Sequence, residues 1–235
     1  MNDIQSISIM FPLYKDRRTV KKMIEKSLNI SRKLKIKSQL VMVDDGCPEQ
    51  SGIYAKKIIK NKKIKTKIIF HKKNLGYGAA IKTGLKNCNG QWIFQTDGDA
   101  EYDVYDLKKL INSINKSDLV ITYRLKKKYK TTRIIISWIY NVILRALFVT
   151  DFRDISTGSR LINKKIFKKV RLTSNSPFIG AELAIKSKYA GLKVSEVGIH
   201  TYPRTFGSGS SVSFKNILLT IKDMIKLYFN FMINK

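Results

Sequence analysis

Short apolar runs alternate with helix-periodic segments through the first half of the chain. The apolar runs predict strands at 5–11, 39–43, 67–70, 91–96 and 118–122. The segments between them carry apolar residues at helical spacing and predict helices at 16–34, 50–61, 77–88 and 103–115. Repeated strand–helix units indicate an α/β fold, with a mostly parallel sheet flanked by helices.

The pattern changes beyond residue 130. Residues 134–149 are strongly apolar, 178–190 predict a helix and 192–202 an extended segment. Residues 214–232 predict an amphipathic C-terminal helix, which either packs on its own sheet or lies at a membrane surface. The chain has no uncharged apolar run of 18 residues and enters a strand almost at once, so neither a spanning helix nor a signal peptide is expected.

Charge narrows the choice of partners. The formal net charge is +29, which favours nucleic acid, phosphorylated ligands or an acidic membrane surface. The basic residues are scattered and accompany no ordered aromatic motif, so nucleic-acid binding stays an alternative and a lysine-rich codon bias an equally good explanation. The two cysteines, Cys47 and Cys88, lack zinc-site spacing and predict free thiols.

Unusual residues follow four of the predicted strands. Their loops are Pro12–Asp16, Asp44–Gly46, Asn74–Gly78 and Asp97–Glu101. In open parallel sheets, ligands bind beyond the carboxyl ends of the strands. These loops are therefore the predicted ligand-binding edge.

The acidic turn Asp97-Gly98-Asp99-Ala100-Glu101 is the main candidate site. In extended chain, residues two apart point to the same side, so the three carboxylates are expected to converge. Neighbouring anions favour a neutralising cation, and oxygen ligands suit Mg²⁺ or Mn²⁺. Such an ion would bridge diphosphate oxygens, and Gly98 would let a ligand approach closely. The alternative is a solvated turn.

Two further loops have both a binding and a structural explanation. Asp44 and Asp45 could accept hydrogen bonds from a nucleobase or ribose, or could serve as a helix cap or turn. The glycines from Gly76 onward open a helix whose free N–H groups suit a phosphate, although the spacing differs from the dinucleotide fingerprint.

These motifs, in this order, resemble family 2 glycosyltransferases of the Rossmann-like GT-A fold, in particular the polyprenyl-phosphate (dolichyl-phosphate mannose synthase-like) group. The motifs of the first half are Pro12-x-Tyr14, Val43–Gly46, Asn74–Gly84 and Gln95–Tyr102. Further motifs, Asp154–Leu161, Pro177–Leu183 and Pro203–Ser211, extend the likeness to about residue 212. The predicted domain is thus 1–212, with a donor half to about 125 and an acceptor half over about 126–212, followed by the helix of 213–235.

The resemblance implies roles for individual residues. The nucleoside pocket would include Pro12, Tyr14, Asp16 and Asp45, with Asp44 and Gly76 beside it, and the metal site Asp97, Asp99 and Glu101. Phosphates would be held by Arg124, Arg133 and Arg204, since guanidinium groups suit bidentate phosphate contacts. Asp99, Glu182 and Arg204 are the expected catalytic residues. Glu182 is either a base or acceptor-orienting group, or an exposed helix carboxylate.

The implied reaction is transfer of a single sugar, with inversion, from a UDP- or GDP-sugar to a polyprenyl phosphate in cell-envelope glycan synthesis. The enzyme would then lie at the cytoplasmic face of the membrane, bound peripherally. An ionised lipid phosphate needs no general base, whereas a sugar hydroxyl acceptor, the first alternative, does. A metal-dependent nucleotidyltransferase is a further alternative, but the first strand is not followed by a glycine-rich loop bearing Lys or Arg.

Overall fold

The computed structural model describes residues 4–126, 131–203 and 213–233. Its seven strands are β1 Ser6–Leu13, β2 Lys37–Asp44, β3 Lys65–Phe70, β4 Trp92–Gln95, β5 Leu119–Arg124, β6 Arg160–Asn163 and β7 Val194–Ile199. The α-helices are α1 Val20–Leu34, α2 Ser51–Ile59, α3 Tyr77–Asn87, α4 Leu107–Ile111, α5 Thr131–Phe148, α6 Ile179–Tyr189 and α7 Phe214–Ile233.

The strands form one sheet in the order β3-β2-β1-β4-β6-β5-β7. Only β6 runs antiparallel to its neighbours, β4 and β5, so the predicted mostly parallel α/β sheet is confirmed. The chain leaves β1 toward β2 and β3, then returns to place β4 on the other side of β1. A ligand crevice is expected at such a reversal of strand order, and the carboxyl ends of β1, β2 and β4 meet there.

Two apolar layers cover the sheet. One face packs against α1, α2 and α4, for example through Met23 and Leu107. The other packs against α3, α5, α6 and α7, through residues such as Ile81, Phe148 and Leu227. The strands in the middle of the sheet are therefore buried on both faces, which explains why their sequences are continuous apolar runs.

Two details differ from the sequence-based elements. The helix predicted over 103–115 is a single α-helical turn, Leu107–Ile111, flanked by 3₁₀ turns. Strand β6 was not predicted, because four residues inside a motif give no usable periodicity. The C-terminal helix is present, and the predicted motif around Arg204 lies outside the described residues.

Candidate active site

The turns after β1 and β4 touch each other at Gly98. A Cβ atom built on Gly98 would lie 2.5 Å from the Pro12 carbonyl oxygen and 3.1 Å from Asp16 Oδ2. The Thr19 hydroxyl donates to the Gly98 carbonyl at 2.8 Å, and the Tyr14 N–H donates to Asp16 Oδ2 at 2.9 Å. The structure thus brings together the predicted pocket residues of two loops, and no side chain would fit in place of Gly98.

The three carboxylates of the acidic turn take different partners. Asp97 Oδ1 accepts from the Tyr77 hydroxyl at 2.8 Å, and Asp99 Oδ1 accepts from the Glu101 N–H at 2.9 Å. Glu101 Oε2 lies 3.5 Å from the guanidinium of Arg133 on α5. Across the described ranges, no group of three or more His, Cys, Asp or Glu side chains is arranged to hold a metal ion.

The expected convergence of all three carboxylates on one metal ion therefore stays a prediction. The expectation assumed extended chain, whereas β4 ends at Gln95 and Ala100 adopts a positive φ of 62°. A turn in the left-handed region breaks the two-residue alternation of side chains. Asp97 and Asp99 still offer oxygen donors on either side of Gly98, a donor chemistry that fits Mg²⁺ or Mn²⁺.

The first aspartate of the turn is positioned by residues far away in the sequence. Asp97 lies directly against Gly158, where a Cβ atom would overlap its carboxylate. Tyr77, at the start of α3, donates its hydroxyl to the same carboxylate. Burial, and then the charge of Asp97, raise the pKa of Tyr77, so this phenol remains a hydrogen-bond donor. Sequence reasoning assigned no role to Tyr77 or Gly158.

Substituting Gly158 tests this positioning. In Gly158→Ala the added methyl group must displace the Asp97 carboxylate, and a displacement of about 1 Å can cost about a hundredfold in rate. We expect the catalytic rate to fall by about that factor. The neighbouring Ser159→Ala is the control, since the Ser159 hydroxyl has no hydrogen-bond partner among the described residues. Equal activity of both variants in a transfer assay would refute the constraint.

The two aspartates after β2 have structural partners. Asp44 accepts from the Cys47 N–H at 2.7 Å and from the Gly52 N–H at 2.6 Å, which is the turn and helix-start role that the sequence left open. Asp45 accepts from the N–H groups of Leu75 and Gly76, both at 2.9 Å. Asp45 thus fastens the glycine-rich loop to the end of β2.

The imidazole ring of His71 contacts the Asp45 carboxylate. Its Nδ1 lies 2.6 Å from Asp45 Oδ1, and its Nε2 lies 3.0 Å from the Thr83 hydroxyl. The histidine therefore fixes the orientation of the carboxylate that holds the loop. A single His after a strand carries no sequence signal for such a contact, and sequence reasoning gave His71 no role.

A second polar cluster surrounds Arg124 at the end of β5. Its Nε and Nη2 atoms donate to the two carboxylate oxygens of Asp154 at 2.7 and 2.9 Å, and both side chains are 4% exposed. The same guanidinium contacts the hydroxyls of Ser156 and Ser137. Bidentate pairing fixes Arg124 in one orientation, and the charge of Glu101, which pairs with Arg133 on α5, also acts on Arg124.

Helix α5 presents its polar residues to this cluster. Arg133, Ser137 and Asn141 are four residues apart and therefore lie on one helix face. Asn141 accepts from the Ile155 N–H at 3.0 Å and so holds the loop that contains Asp154. Away from this face Trp138 is 61% exposed, and Ile135 and Ile139 are exposed as well. The first part of the helix thus turns polar residues inward and apolar residues outward, whereas Leu144 and Phe148 near its end are buried in the core.

Glu182 is buried, so the alternative of an exposed helix carboxylate is wrong. It accepts from the N–H groups of Thr173 and Ser174, both at 2.9 Å, and pairs with Lys186. Burial raises its pKa, but Lys186 and these hydrogen bonds outweigh burial and hold the pKa below its usual value. These contacts give Glu182 a structural role, and its action as a base stays a prediction.

Comparison with known proteins decides the family. The model of the family described as "Glycosyl transferase family 2" matches residues 8–171, more than half of the chain. The chain belongs to glycosyl transferase family 2. The predicted GT-A fold is confirmed by a glucosyl-3-phosphoglycerate synthase from Mycobacterium tuberculosis, crystallised with Mn²⁺, UDP-glucose and phosphoglyceric acid. That structure aligns with a TM-score of 0.75 and 12% identity over 95% of this chain and 80% of that chain.

Relatives within the family act on polyprenyl phosphates, according to their names. Dodecaprenyl-phosphate galacturonate synthase of Rhizobium johnstonii is 22% identical over 90% of this chain and 64% of the relative. Dolichyl-phosphate beta-glucosyltransferase of Trichomonas vaginalis is 23% identical over 94% of this chain and 72% of the relative. The chain therefore spans slightly less than two thirds of the length of the first relative and 72% of the second. Within the family, it is similar to the polyprenyl-phosphate group, as its motifs indicated.

Proposed function

We propose that this protein transfers one sugar, with inversion, from a UDP- or GDP-sugar to a polyprenyl phosphate. The observation that carries the proposal is that Glu101 of the acidic turn pairs with Arg133 and that its charge also acts on Arg124, on the side where α5 exposes apolar side chains. A donor diphosphate at the turn and an acceptor phosphate at the arginines would then lie next to each other, with the lipid chain along α5.

In this proposal, the donor site is built from the loops after β1, β2 and β4. Asp97 and Asp99 would hold Mg²⁺ or Mn²⁺, and Glu101 would join them only by releasing Arg133. The bound cation would neutralise the charge that develops on the departing nucleoside diphosphate. Tyr77 and Gly158 keep Asp97 in place, and Asp45 keeps the glycine-rich loop closed beside it.

The acceptor site requires no general base. A phosphate monoester is largely ionised at neutral pH, and its oxygen can attack the anomeric carbon directly. Arg124, fixed by Asp154, and Arg133 would orient that phosphate. This division of roles agrees with the contacts of Glu182, whose carboxylate is occupied by Thr173, Ser174 and Lys186.

A transfer assay tests the function. Purified protein is incubated with Mn²⁺, labelled UDP- or GDP-sugars and either polyprenyl phosphate or a soluble saccharide. Label recovered in the lipid phase, as the sugar joined to the polyprenyl phosphate, supports the proposal. Transfer to the soluble saccharide instead would replace it by the hydroxyl-acceptor alternative. Release of pyrophosphate from a nucleoside triphosphate would indicate a nucleotidyltransferase, and steep salt-dependent DNA or RNA binding without any nucleotide-sugar binding would favour the nucleic-acid alternative.

The proposed location is the cytoplasmic face of a membrane, with the outward faces of α5 and α7 against the lipid. Among the described residues, α5 is the one helix whose length and composition would allow a span, with a mean hydropathy of 1.2 and 17% of its residues buried. The sequence did not predict a span here because Arg133 and Arg145 are charged residues within these 18 positions. Length and composition do not distinguish spanning from surface binding, and its inward polar face favours the surface.

Vesicle binding by a Trp138 variant tests this orientation. Trp138→Glu places a charge where an apolar side chain would enter the lipid, and we expect binding to anionic vesicles in a sedimentation assay to weaken about tenfold or more. The control is Ile53→Glu, an apolar residue of similar exposure on α2, on the other face of the sheet. Equal loss in both variants, or in neither, would contradict the proposed orientation.

A further inference from the structure

A four-residue segment, 173–176, lies between the C-terminal helix α7 and the rest of the fold and is hydrogen-bonded to α7. Its backbone N–H groups donate hydrogen bonds to two carboxylates, one on each neighbouring helix. Glu182 of α6 accepts from Thr173 and Ser174. Asp223 of α7 accepts from Asn175 and Ser176, both at 3.2 Å. Residues 173–176 are thus held from two sides, and Asp223 is a polar contact that α7 contributes.

The opposite side of this segment supports the glycine-rich start of α3. The Asn175 carbonyl accepts from the Gly78 N–H at 2.9 Å. The approach is so close that a Cβ atom on Gly78 would lie 2.6 Å from the Asn175 carbonyl carbon. A Cβ atom on Gly76 would also lie 3.1 Å from the Asn175 carbonyl oxygen. The close approach of the 173–176 backbone therefore requires glycine at position 78, and the positive φ of 94° favours glycine at position 76.

The start of α3 holds residues on both sides of the donor site. Gly76 donates to Asp45, and Tyr77 donates to Asp97. A continuous set of contacts therefore joins α7 to the acidic turn: Asp223 binds the 173–176 segment, the segment binds Gly78, and the preceding residue binds Asp97. Apart from the peptide link between Tyr77 and Gly78 and the chain of residues 173–176 itself, each step is a hydrogen bond between described atoms.

We propose that Asp223 is a positioning residue for the nucleotide-sugar site. It acts through the Asn175 carbonyl, which sets the place of the glycine-rich loop and so of Tyr77 and Asp97. This inference rests on the proposed function and assigns to α7 a role within the donor site, in addition to its outward apolar face. The hydrogen bonds that Asp223 accepts, and not the packing of α7 as a whole, are then a condition for tight donor binding.

Three variants of α7 separate this role from ordinary packing. Asp223→Ala removes the acceptor of two N–H groups, and we expect the KM for the nucleotide sugar to rise about tenfold, with kcat and the KM for the lipid acceptor little changed. Asp223→Asn keeps a carbonyl acceptor and should stay within about threefold of wild type. Leu227→Ala, one turn further on and buried, loosens α7 without removing a hydrogen bond, and should lower Tm but not raise the KM for the donor.

Calorimetric binding of UDP and GDP with Mn²⁺ gives a second readout that needs no turnover. If wild-type protein binds a nucleotide but transfers no sugar, the proposed function fails, while a weaker Kd in Asp223→Ala still supports the positioning role. Unchanged donor KM and nucleotide Kd in Asp223→Ala would overturn it. So would an equal rise in Leu227→Ala, because that result would assign the effect to the packing of α7 as a whole.

Discussion

Asp99→Asn should lower kcat for sugar transfer by about two to three orders of magnitude while leaving the protein folded. The asparagine keeps an oxygen that can accept from the Glu101 N–H, so the turn itself should persist. It lacks the negative charge that a divalent cation requires, and the cation's contribution to the leaving group would be lost. Steady-state kinetics at saturating Mn²⁺, together with thermal unfolding, measures both effects.

Asp103→Asn is the matched control for this experiment. Asp103 lies four residues further along, accepts from the Tyr105 N–H and pairs with Lys26, outside the candidate site. Its substitution removes a carboxylate of similar sequence position and should cost at most about 1 kcal/mol in stability, with little change in rate. Asp99→Asn activity close to that of Asp103→Asn would exclude Asp99 from the catalytic site.

The second large effect is expected at Arg124, where stability and catalysis separate. Arg124→Ala leaves the Asp154 carboxylate buried without its bidentate cation, a loss of about 3–5 kcal/mol in the free energy of unfolding. Sugar transfer should fall as well, because the proposed acceptor phosphate loses a guanidinium partner. Chemical denaturation and a transfer assay on the same preparation give the two quantities.

A double substitution distinguishes the two roles of Arg124. In Arg124→Ala combined with Asp154→Ala no charge is left buried alone, so much of the stability should return. The transfer rate should not return, since the phosphate would still lack Arg124. Recovery of the rate together with the stability would limit Arg124 to a structural role and would move the acceptor phosphate away from β5.

The sequence was sufficient for the outline of the site. The apolar runs located β1 to β5, and parallel topology then required that the loops of β1, β2 and β4 meet at one edge. The contact between Gly98 and the Pro12 carbonyl is a direct consequence of that topology. What could be predicted was therefore which loops come together, since that depends on strand order and periodicity.

The partners of individual side chains could not be predicted in this way. Asp97 and Gly158 are 61 positions apart and meet because β6 pairs with β4. Strand β6 is too short to be recognised from its sequence. Ala100 adopts a positive φ, so the acidic turn does not follow the side-chain alternation expected of a strand. Glu182 is buried and accepts hydrogen bonds from the backbone N–H groups of Thr173 and Ser174. Because every residue type except proline carries a backbone N–H group, the sequence pattern does not predict these contacts.

Calorimetric titration of UDP and GDP, with Mn²⁺ and with a chelator, tests the central claim most directly. The carboxylates of Asp97 and Asp99 should bind a nucleoside diphosphate only through a divalent cation, because anions repel one another without it. We expect at least one of the two nucleotides to bind when Mn²⁺ is present and binding to disappear in chelator and in Asp99→Asn. Equally tight binding in chelator, or no binding of either nucleotide under any condition, would contradict the account.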